Sequence, residues 1–138
     1  MKTAWHILVG ETLRTLLQPV GIDVLLEVPV VVDAPKADLI LIRRQPGGWT
    51  REQRLLLADG IRDLEAERIL IELKITESLT DAGLSQLAMY DTLYRNKERL
   101  PRSQLQSILI SSSSTRRETL DRFGFVPVGP EGVHESRP

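Results

Sequence analysis

Arg68-Ile69-Leu70-Ile71-Glu72-Leu73-Lys74-Ile75 reads as one unbroken strand, rich in branched side chains and free of Gly and Pro. Its apolar residues fall on both faces, which places it at the centre of a sheet covered on each side. Residues two apart share a face, so Glu72 and Lys74 stand together while Ile71, Leu73 and Ile75 fill the opposite face. A carboxylate and an ammonium thus sit in the middle of a sheet.

Upstream, Ala37-Asp38-Leu39-Ile40-Leu41-Ile42 is a second apolar strand in which Asp38 is the only charge. It follows the branched stretch Ile22 to Val32 across the turn-forming Asp33-Ala34-Pro35-Lys36, so the two pair antiparallel. Pro29 lacks a ladder donor and puts the earlier strand near an edge. Before it, Ile7, Leu8, Leu13, Leu16 and Leu17 fall at helical spacing until Pro19 and Gly21 stop the pattern, with Glu11 projecting from that helix. Between the second and third strands, Thr50 and Gln53 form a capping-box signature for a helix carrying Leu55 to Leu57, ending near Gly60 or running on to Glu67.

Downstream, Ser85 to Asn96 forms a helix, Ser107 to Ile110 a fourth strand, Thr115 caps a helix through Phe123, and Phe125 to Val128 a last short strand. The order predicts an α/β fold whose mixed central sheet, flanked by helices, pairs antiparallel first and closes with a right-handed parallel crossover. The 138 residues suit one domain over 1–128, with 129–138 a flexible C-terminal tail.

Composition narrows the function. With no cysteine, thiolate chemistry, disulfides and iron–sulfur clusters are excluded. A net charge of −1 argues against coating nucleic acid by bulk electrostatics, so contact with DNA has to be local. The sequence has neither a secretory h-region nor a run of roughly 18 apolar residues, which predicts a cytoplasmic protein with no membrane partner. His6 and His134 lie at opposite ends of the chain, and the run Ser111 to Ser114 lacks the glycines and lysine of a phosphate-binding loop.

An unpaired carboxylate in an apolar strand is costly unless something neutralises it, and a bound cation would do so. Asp38 and Glu72 can hold Mg²⁺ or Mn²⁺, with water and a phosphate oxygen completing the shell. Lys74 beside them can orient or deprotonate the attacking water, or stabilise charge on the phosphorus; the bland alternative is a buried Glu72/Lys74 ion pair. Gln86 and Tyr90, four apart on one helix face, present an amide and a phenol to the same place.

Pro35-Lys36-Ala37-Asp38 followed by Glu72-Leu73-Lys74 resembles the PD-(D/E)XK nuclease superfamily, and Gln86-Leu87-Ala88-Met89-Tyr90 is similar to the Q-x-x-x-Y motif of its RecB-type branch. The resemblance spans residues 11 to 110. It implies a restriction-endonuclease-like core and a metal-dependent nuclease hydrolysing DNA phosphodiesters. Its metal ligands would be Glu11, Asp38, Glu72 and the Leu73 carbonyl, with Lys74 as catalytic lysine and Gln86 and Tyr90 as positioning groups. Two residues separate Pro35 from Asp38, and the iron–sulfur cysteines of some branch members are missing. A homodimer or a larger nuclease or helicase complex is compatible with this reading. So is a catalytically silent nuclease-like fold that binds nucleic acid or protein.

Overall fold

The central apolar run forms β3 (Arg68–Lys74) in a computed structural model that describes residues 5–30, 36–74, 80–113 and 116–136. It lies between β2 (Lys36–Arg43), paired antiparallel, and β4 (Leu105–Ser111), paired parallel. At the far side of β2, β1 (Ile22–Pro29) pairs antiparallel and forms one edge, giving a mixed sheet in the order β1-β2-β3-β4. The expected strand pairing is therefore present. Pro35, Ile75 and Thr115 lie outside the described residues, as do Val31 to Ala34.

Each face of the sheet is covered by a helix. On one face, α1 (Trp5–Leu17) lays Leu17 against Ile22, Val24, Leu39, Leu41, Ile69 and Ile71. Gly10 makes this close approach possible, because a Cβ there would collide with the Leu26 and Leu39 side chains. A 3₁₀ turn (Gln18–Val20) and left-handed Gly21, with φ 86°, then return the chain to β1. On the other face, α3 (Asp81–Glu98) packs Leu87, Tyr90 and Tyr94 over Ile40, Leu70 and Leu105. Truncating any one of the fully buried aliphatics to alanine is expected to cost about 2–5 kcal/mol.

Two helices differ from the sequence reading. α2 (Arg51–Leu56) has the expected Thr50/Gln53 capping box but stops at Leu57, which turns extended with ψ 139°. Three successive leucines spread over most of a helix circumference, so one helix face cannot bury them all. Leu57 enters the core by leaving the helix, while Leu55 remains 76% exposed. α3 begins at Asp81 rather than Ser85, capped by the Thr80 hydroxyl on the Gly83 N–H at 3.0 Å. Ala82 and Gly83 give no apolar signal for that first turn.

Past β4, α4 (Arg117–Arg122) leads into a hairpin of β5 (Phe125–Pro127) and β6 (His134–Ser136), a separate two-stranded sheet. The stretch read as tail thus contributes β6, and Val133 comes to rest beside Gly60. No residue described after Leu105 is buried. Among the described residues, no helix is long and apolar enough to cross a membrane.

Candidate functional site

Asp38 and Glu72 meet where β2 and β3 stop pairing. The ladder runs as far as Leu39 opposite Ile71, and the next positions in register are Asp38 and Glu72. There side chains take over the main-chain bonds. The Asp38 N–H donates to Glu72 Oε1 at 2.9 Å, and the Leu73 N–H donates to Asp38 Oδ2 at 3.0 Å. Each carboxylate is therefore clamped to the other acid's strand through one oxygen. The two carboxyl groups also engage each other directly, and that side-chain contact favours the protonated form of Glu72.

Pairing also fails on the other side of Asp38. The β1–β2 ladder skips Glu27 opposite Asp38, and Glu27 adopts a left-handed φ of 49°. Ala37 and Ile40, three apart, both pack under α3, so the strict alternation of the strand breaks at Asp38. Backbone strain of this kind collects at functional sites. Glu27 itself turns away and bonds the His6 ring at 2.8 Å, its pKa lowered first by that hydrogen bond.

Electrostatics sets Glu72 apart. It is buried, 6% exposed, and burial raises its carboxyl pKa to about 7. The negative charge of Asp38 adds to the rise, while the Asp38 N–H and the Lys74 ammonium oppose it. Lys74 is near enough to be felt, yet among the described residues it makes no direct ion pair with either acid. The Glu72/Lys74 ion pair offered as the structural alternative is not formed among the described residues.

Gln86 and Tyr90 arrive from α3 as one unit, the Gln86 Nε2 donating to the Tyr90 hydroxyl at 2.9 Å. Burial, then the charges of Glu72 and Asp38, push the Tyr90 pKa upward, so the phenol remains protonated and faces the acid pair as a neutral group. The structure therefore brings Asp38, Glu72, Lys74 and Tyr90 into one neighbourhood, with Gln86 attached through Tyr90. Leu73 enters through its N–H.

Glu11 is not joined to them. It pairs with Arg14 one turn along its own helix at 2.9 Å, and among the described residues no three His, Asp or Glu side chains gather as a metal-binding group. For a hard divalent cation the donors are right in kind, two adjacent carboxylates, but incomplete in number. Water and substrate oxygens would have to finish the shell.

Asp91 ties α3 to β4, accepting from the Ser107 hydroxyl at 2.6 Å and from Arg95 at 2.7 Å. The contributions of the Asp38 and Leu73 main-chain N–H groups escaped the sequence reading, because nothing in residue identity marks where a ladder ends. No protein-family model, no curated protein and no solved structure matches the chain.

Proposed function

We propose that the protein is a divalent-metal-dependent nuclease of the PD-(D/E)XK type, hydrolysing DNA phosphodiesters at the Asp38/Glu72 pair. The observation that carries this reading is the pair itself: two carboxylates in contact with each other's strands, the pKa of one raised to about 7, and beside them a lysine that makes no ion pair among the described residues. Helix, two antiparallel strands, a central strand, a crossover helix and a parallel strand follow in the order that a restriction-endonuclease-like core implies. α2 is an insertion within it.

Mg²⁺ or Mn²⁺, when bound, would supply positive charge for the phosphoryl oxygens and a water of lowered pKa. Asp38 and Glu72 would hold it through the oxygens not bonded to main chain, with Glu72 giving up its proton on binding. Lys74 is placed to donate to a phosphoryl oxygen as negative charge builds there, or to orient the attacking water. Tyr90, neutral and anchored by Gln86, offers its hydroxyl to the same water or to the nucleic-acid backbone.

Purified protein incubated with circular single-stranded DNA and with plasmid should cut with Mn²⁺ or Mg²⁺ and not with EDTA. Lys74→Ala should lose about 100-fold or more, the scale of removing one transition-state donor. Cutting that survives in both Asp38→Ala and Glu72→Ala would sink the assignment. The incomplete acid set favours a second reading, a nuclease-like fold that binds nucleic acid without cutting. In that case DNA would be bound and left intact by wild type and Lys74→Ala alike.

A further inference from the structure

The two edges of the four-stranded sheet are built differently. The β1 edge is guarded: Arg14 donates to the Val24 carbonyl at 3.2 Å, Lys97 donates to the Pro29 carbonyl at 2.8 Å, and Pro29 has no N–H to offer. The left-handed Glu27 breaks its regularity, and Asp23 adds an ion pair with Arg44. Charges, prolines and irregularities of this kind stop a sheet from adding strands from other chains.

Among the described residues, β4 carries none of these devices from Gln106 to Ile110. Leu105-Gln106-Ser107-Ile108-Leu109-Ile110-Ser111 contains no charge, no proline and no glycine. Among the described residues no strand pairs along its outer edge, and no side chain bonds the main chain of Gln106 to Ile110. Ile110 is an exposed aliphatic on this strand. An edge of this length offers a row of donors and acceptors to a neighbour.

We propose that the β4 edge is a homodimer interface, in which two copies of this chain pair β4 to β4 antiparallel about Ile108 and continue the sheet across a two-fold axis. The strand is complementary to itself in that register. Ile108 meets Ile108, Ser107 meets Leu109 and Gln106 meets Ile110, so no like charges oppose one another. On the α3 face, each copy brings a matched Asp91/Arg95 ion pair beside the axis, so no net charge accumulates there. The inference concerns the edge alone and does not depend on the nuclease reading.

Sedimentation equilibrium of the full chain tests it. Wild type should be a concentration-dependent dimer. Ile110→Lys, a change at an exposed side chain, should raise the dissociation constant about 100-fold by burying two unpartnered ammonium groups per dimer. Adding Gln106→Glu should restore dimerisation, because the register sets each new carboxylate opposite a partner lysine. Glutamate retains the oxygen that accepts the Glu65 and Ala66 N–H groups, so the fold should tolerate it. Leu25→Lys, on the guarded edge, should dimerise normally. A monomeric wild type, an Ile110→Lys dimer of unchanged strength, a failed rescue in a folded double variant, or a monomeric Leu25→Lys would each overturn the proposal.

Discussion

β2 and β3 carry charged side chains at both ends, and the two ends treat them in opposite ways. At the Arg43/Arg68 end every cation is answered. Arg43 stacks over Trp49 at 5.4 Å and donates to the Gln45 carbonyl, Arg68 donates to the Tyr94 hydroxyl at 2.8 Å and lies 3.9 Å from Glu98, and Arg44 pairs with Asp23. At the Asp38/Glu72 end two acids press together while the nearest cation forms no direct ion pair with them, and Glu72 meets the cost of burial by holding a proton to about pH 7. One end of the sheet is thus settled by its own partners, and the other, on the function proposed above, is the end left for a ligand.

The largest expected effect follows from that proton. The folded carboxyl of Glu72 keeps it to about pH 7, whereas an unfolded glutamate releases it near 4.5. Between those values the folded state binds more protons, so the Glu72 contribution to stability is full below pH 4.5 and is lost as pH rises through 7. The whole loss is about 3 kcal/mol at most. Urea unfolding at pH 5 and pH 8 should show this slope in wild type relative to Glu72→Gln, whose amide has no proton to lose. Mn²⁺ should restore stability at pH 8 in wild type alone. Equal pH dependence in the two proteins would mean that the acid end is as settled as the other.

The next effect belongs to the neutralised end. Tyr94→Phe removes the hydroxyl that Arg68 bonds inside the core and should cost about 1–2 kcal/mol in urea unfolding. Mn²⁺ binding measured by calorimetry should be unchanged. A variant that lost metal binding without losing stability would erase the division between the ends.

How much of this was legible in the sequence depends on what each feature rests upon. The strands were readable because apolar runs and turn residues declare them, and the Thr50/Gln53 box named its own cap. The acids stood out because a charge inside an apolar run is rare. What stayed hidden was set by tertiary geometry. The end of the ladder at Leu39, the left-handed Glu27 and the broken alternation around Asp38 arise from how three strands part, and no single residue type encodes them. Glu11 illustrates the converse: its residue type suited a ligand, but Arg14 on the same helix face claims it. Of the terminal hairpin, β5 was readable at Phe125 to Val128, whereas β6 escaped because it shows no apolar alternation and is exposed throughout.

The smallest effect separates two neighbours. Arg43 and Arg44 are adjacent, but Arg43 is 7% exposed while Arg44 reaches Asp23 through water-accessible side chains. Arg44→Ala should therefore change stability by less than about 1 kcal/mol, and the change should shrink further in high salt. Arg43→Ala also removes packing against Trp49 and leaves the Gln45 carbonyl without its donor, so it should cost about 2 kcal/mol and respond little to salt. If the two variants lose the same amount with the same salt dependence, neutralisation at this end is a surface matter. The contrast with the acid pair would then rest on burial of Glu72 alone, not on how the two ends pair their charges.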